Sequence, residues 1–423
     1  MSSAAPVSRL RLHPALGTFL LLLALNLLNY IDRYILPGEL SLIQREFHAT
    51  DHEMGALTTA LFIFYMIAAP LTGWLGDRVS RKPLIIAGAV LWSLATLATV
   101  WVHSYWTFYL RQAMVGIGEA TFGIFAPAVL SDFYPERERN RILSAFYLAI
   151  PVGAALGYLA GGQIGSHWGW RAPFFVCALP GFVAAALYGV FGHEPVRGAC
   201  DRVHTTAPGA KPSGQQQIHN FLSLFRNPAF LTATFGLATL TFAMGGISAW
   251  VPEFLRRSAG LSLGSAGLTV GAATAIDGIL GTLVGGWIAQ RWLRTNHRAL
   301  YLLSFWSVVL TLPFGVLLFF GPASWSVPVL FLAEFFLFLN TGPLNTAIVN
   351  SVSGNVRATA VGLNLFIIHC FGDTFSPQII GFISDRSTLS LGLGATLVFL
   401  VLSSFILLTG SRFAPPLEDP NAA

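Results

Sequence analysis

Charge is scarce in this chain: only 10% of its 423 residues are Asp, Glu, Lys or Arg, where a soluble domain carries about 25%. So few charges cannot cover a surface in water, which excludes an ordinary soluble domain and turns most of the surface toward lipid. Cysteine is almost missing. Cys177 and Cys370 lie in apolar runs and Cys200 in a polar stretch, a spacing that builds neither a zinc site nor a disulfide framework. There is no Gly-rich phosphate loop and no Ser-His-Asp arrangement, which argues against an ATP-driven pump or a hydrolase in this chain. No cofactor or metal is expected. Basic residues are not interleaved with exposed aromatics, so the net charge of +5 does not read as a nucleic-acid footprint. No loop is long enough for a catalytic domain outside the bilayer, and no repeated pore sequence points to a channel.

What is present is apolar length. Hydrophobic residues make up 54% of the chain, with a mean hydropathy of +0.65. A spanning helix needs about 20 mostly apolar residues. With charges read as punctuation, twelve such segments appear, at about 16–40, 54–76, 84–102, 105–131, 142–166, 172–192, 228–252, 262–290, 299–320, 326–350, 357–384 and 389–411. The first follows Arg9 and Arg11 and runs past Asp32 and Arg33. That length is expected of a retained span rather than a cleaved signal. Gly321-Pro322 splits a run too long for one helix. The expected fold is all-α and polytopic, with two six-helix halves, 1–191 and 226–423, joined by a polar linker at 192–225. That linker holds Pro208, Gly209, Pro212 and Gly214.

Most of the 24 Lys and Arg fall at the termini or in connections after even-numbered spans. Arg45, Arg171, Arg256, Arg257 and Arg386 fall on the other side. The positive-inside rule then puts both termini in the cytoplasm, and an integral multi-pass protein of a bacterial inner (plasma) membrane is expected. The second span ends Gly73-Trp-Leu-Gly-Asp77-Arg78, the eighth Gly286-Trp-Ile-Ala-Gln290-Arg291, and the eleventh Gly381-Phe-Ile-Ser-Asp385-Arg386 at the opposite face. Such repeats are the logic of many secondary transporters. The loop from Gly73 through Asp77, Arg78, Arg81 and Lys82 reads as a gating latch.

Ionisable residues inside spans are few, and each costs roughly 2.5–3.5 kcal/mol at a helix centre on insertion scales. Asp32 and Arg33 are adjacent, so they do not face each other and are not a self-contained pair. Asp32 and Glu119 are candidates for proton coupling. Arg111 lies eight residues before Glu119, about 12 Å along the axis, where direct pairing is not assured; it is a candidate ligand for an anionic headgroup. In the second half, Asp277, Glu334, His369 and Asp373 lie within spans. His369 and Asp373 are four apart on one helical face. Glu334 opens an aromatic run with Phe335, Phe336 and Phe338, suited to an acyl chain. Tyr30, Arg111, Glu334, Phe335, Phe338, His369 and Asp373 form the candidate substrate set. Gly153, Gly157 and Gly161 on the fifth span allow a tight helix crossing.

The 73–83 loop resembles the signature loop of the major facilitator superfamily. Three further segments resemble the Spinster family: Leu28-Asn29-Tyr30-Ile31-Asp32-Arg33-Tyr34, Val115-Gly-Ile-Gly-Glu119-Ala, and Ser144 through Tyr158. The resemblance covers most of the first half and implies a carrier of lysophospholipids or sphingoid phosphates. It also implies proton-coupling roles for Asp32, Glu119 and Arg111. In the family pattern an Arg stands seven residues before the Glu, at position 112, where this chain has Gln112. Arg111 is rotated by about 100° from that face. Anion symporters of the same superfamily share an Asn-Tyr-x-Asp-Arg start, which keeps small organic acids or drugs open as substrates. The expectation is a monomeric, proton-coupled carrier of an amphipathic anionic solute, surrounded by membrane lipids.

Overall fold

The structure, a computed structural model, describes residues 14–76, 78–134, 136–196, 221–352 and 356–416. Asp77 and most of the 192–225 linker lie outside the described residues. Twelve helices are long and apolar enough to cross a membrane. They are α1 (Pro14–Phe47), α2 (Asp51–Gly73), α3 (Arg81–Trp101), α4 (Tyr105–Phe133), α5 (Arg141–Trp168), α6 (Arg171–Phe191), α7 (Pro228–Ser258), α8 (Leu263–Leu293), α9 (Ala299–Phe320), α10 (Ala323–Asn350), α11 (Thr359–Arg386) and α12 (Leu389–Phe413). The twelve expected spans are thus all found. Several are longer than expected, because helix persists beyond the apolar core: α1 continues through Pro37 to Phe47.

Their starts follow from local chemistry. Ser104 and Thr107 form a reciprocal capping box at α4, Asn227 caps α7 ahead of Pro228, and Ser262 and Thr388 cap α8 and α12. Within lipid every backbone group must be satisfied internally, which makes helix the default. What then draws helices together is close backbone approach. α5 lies along α1 through the expected glycines: Gly153 meets Tyr30, Gly157 meets Ile31 and Tyr34, and Gly161 meets Ile35 and Gly38. Gly88 and Gly118 do the same for α3 against α4.

The halves meet through α1 with α7, α2 with α11 and α5 with α8. A Cβ on Gly271 of α8 would lie 2.7 Å from the Ala155 carbonyl oxygen of α5, and Gly55 of α2 and Gly381 of α11 abut Pro377 and Asp51 across the interface. These approaches crowd the end where α1 passes into α2. At the far ends of the same helices, Gly73 of α2 and Gly362 of α11 have nothing within 4 Å of a Cβ position. The bundle is closed at one end, and among the described residues these glycines of α2 and α11 make no such approach at the other.

Gly157→Val is expected to destabilise the protein by about 1–3 kcal/mol, the usual effect of overpacking. Gly17→Ala, at a site with open space, is expected to be neutral. Thermal unfolding in detergent measures both.

Candidate functional site

Two ion pairs join α1 to α4. Arg33 donates to the Glu119 carboxylate through Nε at 3.0 Å and more closely through Nη2. Arg111 Nη2 reaches Asp32 Oδ1 at 3.4 Å, and Thr96 of α3 donates to Asp32 Oδ2 at 2.5 Å. Arg111 and Glu119, whose direct pairing the sequence leaves open, thus take different partners in a crossed arrangement. Because Asp32 and Arg33 point about 100° apart, each meets a different turn of α4. Arg111 also donates to the Ala95 carbonyl at 3.1 Å and to Gln112, and its guanidinium lies 4.8 Å from the Phe174 ring of α6. The side chain at 111 thus reaches the acidic face in spite of the rotation from position 112.

The Arg33–Glu119 pair is the one open to the centre. The Arg33 side chain is 17% exposed while that of Glu119 is 0% exposed. The guanidinium is ringed by Tyr30, Phe62 and Tyr65 at 5.2, 5.4 and 5.9 Å. His369 of α11 stacks on Phe62 and tilts against Tyr65, each at 5.8 Å, and its Nδ1 lies 2.9 Å from Asp373. The expected His369–Asp373 contact exists, and two aromatic rings carry it to the first-half pair. This brings Tyr30, Glu119, His369 and Asp373 into one site between the halves. In the sequence Arg33 stands out as an intramembrane charge, but nothing there names its partner. The signal was the same one that singled out Asp32.

On the other wall, Thr274 of α8 donates to Glu334 of α10 at 3.3 Å. Asp277, one turn on from Thr274, has a buried oxygen with no partner among the described residues. Phe335 and Phe338 pack on Gly281 of α8, and Phe338 lies beside Gly278, whose other neighbour is Pro151 of α5. The aromatic run therefore borders the interface as well. Among the described residues no group of three His, Cys, Asp or Glu is placed to hold a metal ion.

The closed end carries a polar network that sequence reading missed. Arg257 of α7 grips Asp51 of α2 with two bonds of 2.7 Å, a bidentate pair. Gln44 of α1 and Ser384 of α11 also donate to Asp51, at 2.6 and 2.5 Å. Asp385, from the repeated Gly381-x-x-x-Asp385-Arg386 ending, accepts the backbone N–H groups of Asp51 and His52 at 2.8 and 2.9 Å. A carboxylate is well placed at this helix N-terminus. Glu253 steadies Arg256 and Arg257 from α7 itself. At the other end, Arg81 pairs with Asp132 of α4 at 2.6 Å, and the backbone N–H groups of Arg81 and Lys82 donate to Glu194. These bonds tie the loop to its own half.

A profile described as the Major Facilitator Superfamily matches residues 22–377. Protein spinster homolog 1 of Xenopus tropicalis is 34% identical over 384 residues, covering 87% of this chain and 72% of that protein. A Danio rerio protein described as the sphingosine-1-phosphate transporter SPNS2 is 31% identical over 414 residues, covering 92% and 81%. Among solved structures, a bacterial homolog to the human lysosomal transporter Spinster, in an inward-facing and unoccupied conformation, shares the fold with a TM-score of 0.82. Its identity is 22%, over 94% of this chain and 97% of that one. A D-xylose-proton symporter shares it with a TM-score of 0.77 at 15% identity, over 95% and 98%.

Removing one member of a buried pair leaves the other charge stranded, which destabilises by about 3–5 kcal/mol. Glu119→Leu is expected to show a loss of that order in detergent unfolding. The double variant Arg33→Met/Glu119→Leu is expected to recover most of it. Additive losses in the double variant would mean that the pair is not coupled.

Proposed function

The chain belongs to the major facilitator superfamily of membrane transporters and, within it, to the Spinster family. From that premise we propose that it is a proton-coupled carrier of an amphipathic, anionic, lipid-like solute. The observation that carries this reading is the Arg33–Glu119 pair set among Tyr30, Phe62 and Tyr65. While Glu119 is ionised it occupies Arg33. A proton on Glu119 removes that competitor and frees a planar, two-pronged cation for a phosphate or similar head. Proton binding and anion binding then favour each other through one guanidinium, a direct linkage of the two. The aromatic faces, with Phe335 and Phe338 across the interface, suit the apolar chain.

Arg111 holds Asp32, the second coupling carboxylate, and Thr96 shares it. Glu334, His369 and Asp373 complete the polar lining. The zebrafish relative is described as a transporter of sphingosine 1-phosphate, whose phosphate head and long chain match this division of labour. Alternating access is by rocking of the two halves. The Asp51–Arg257–Asp385 network closes one end, and the Gly73, Asp77, Arg78, Arg81 and Lys82 loop latches the other. The protein works as a monomer in a bacterial plasma membrane, among membrane lipids, with both termini cytoplasmic.

Proteoliposomes loaded with a lysophospholipid or a sphingoid phosphate test the coupling. A proton gradient is expected to drive uptake in the wild type. Glu119→Gln is expected to keep solute exchange at equilibrium but lose the gradient response by about tenfold or more, equivalent to about 1.4 kcal/mol of coupling. An undiminished response in that variant removes Glu119 from the mechanism. Uptake of small organic acids but not of the lipids would replace the substrate reading.

The closing network has its own test. Thr59→Cys places a thiol beneath this network, where Thr59 is buried and donates to the Thr374 carbonyl. Asp51→Asn is expected to raise its labelling rate by about 5- to 30-fold, for one to two kcal/mol lost from the closed state. An unchanged rate would show that the network does not hold that end shut.

A further inference from the structure

Glu39 takes no part in the exchange just described, and its setting asks for an explanation. It follows Asp32 by seven residues, two helical turns on nearly the same face of α1. Pro37 and Gly38 precede it, and its own backbone departs from helix, with φ −138° and ψ 20°. The residue is 0% exposed, and neither carboxylate oxygen has a hydrogen-bond partner among the described residues. On the neighbouring α5 the backbone widens into a single π turn over Ala160–Ile164. Immediately after it comes Gly165, where any Cβ would collide with Glu39 Oε2. A kink in one helix and a bulge in the next thus make room for one carboxyl group. Such bulges are frequent at functional sites.

An ionised carboxylate without a donor in this interior is penalised by several kcal/mol. A proton or a nearby cation relieves the penalty. Among the described residues, the charged and titratable groups around Glu39 are Arg111 from α4, Cys177 from α6 and Asp32 two turns back on α1, while α5 presents the backbone of Tyr158 to Gly38. At this level α8 presents glycines, Gly264 and Gly267, to α5. The Glu253–Arg257 cluster of α7 and Asp51 of α2 lie further toward the closed end, at the level of Gln44. Among the described residues, Arg111 is the cation whose charge acts on Glu39. Its hold on Asp32 is loose: one contact of 3.4 Å, against 2.5 Å for the Thr96 hydroxyl on the same carboxylate.

We propose that Glu39 is a third proton-binding site of this protein, and that Arg111 is shared between Asp32 and Glu39, pairing with whichever is ionised. The step moves no bond other than O–H. When Asp32 takes a proton it gives up Arg111. The guanidinium then swings toward Glu39, which releases its proton and becomes the new counter-ion. The buried charge stays balanced throughout, and a proton advances two helical turns toward the closed end. This rests on the proton-coupled reading of Asp32 and extends it by one site.

Infrared difference spectroscopy of the purified full-length protein in lipid nanodiscs, titrated over a pH of about 5 to 9, tests it without transport. A protonated-carboxyl stretching band is expected that Glu39→Gln deletes and Glu39→Asp shifts. Asp32→Asn, which removes the other claimant on Arg111, is expected to leave less of the Glu39 band at a given pH. Replacing potassium by sodium in the buffer is expected to leave the band unchanged. A band insensitive to both pH and Asp32→Asn would make Glu39 a permanently neutral packing group and overturn the proposal. Absence of any band lost with Glu39 does the same, as does a band that vanishes with sodium, which would mark a metal-ion site instead. Loss of gradient-driven uptake in liposomes would sink the coupling reading alone, because the bands are read on the protein at rest.

Discussion

Lipid supplies neither counter-ions nor hydrogen bonds, so each charge inside the spans has to be answered from another helix. Asp32 and Arg33 make that demand twice in succession. They project from α1 about 100° apart, and α4 answers both, with Arg111 for the acid and Glu119 for the base. This crossed pairing fixes the rotation and depth of α1 against α4. The glycines of α5 bring that helix flush against α1. The Phe108 and Phe174 rings lie beside the Arg111 guanidinium, and Tyr30, Phe62 and Tyr65 beside that of Arg33.

The two pairs differ in how far they are enclosed. Asp32 and Arg111 are both nearly fully enclosed, whereas Arg33 keeps an edge toward the space between the halves. An enclosed pair suits proton traffic, in which nothing larger than a proton must enter. A half-open pair suits exchange of one anion for another. The same logic reaches the closed end, where Asp51 gathers donors from α1, α7 and α11 on a single carboxylate. Concentrating the cross-half contacts on one group makes that end a unit that opens or closes together.

Much of this was legible in the chain. The twelve spans could be read because apolar length is a local property, needing no knowledge of neighbours. Gly153, Gly157 and Gly161 could be read because their spacing of four puts them on one face. His369 and Asp373 met as their spacing predicts. The partner of Arg33 could not be read in this way. Glu119 stands 86 positions away, and nothing in either segment names the other. The register of Arg111 turns it away from position 112, yet its long side chain reaches Asp32. Asp385 announced itself as a repeat, but its target, the first backbone amides of α2, lies more than 330 positions away.

The sequence by itself determined the class of molecule, the number of spans and the division into halves, and it marked the few ionisable groups within the spans. Each of these follows from composition or from short-range spacing in a low-dielectric solvent. Only the tertiary structure decided which acid meets which base, which end of the bundle is closed, and that Glu39 is enclosed without a donor. Those outcomes depend on where helices far apart in the chain come to rest against one another. Packing of backbone against backbone sets that position to within an ångström, and electrostatic pairing is sensitive to distances of that order.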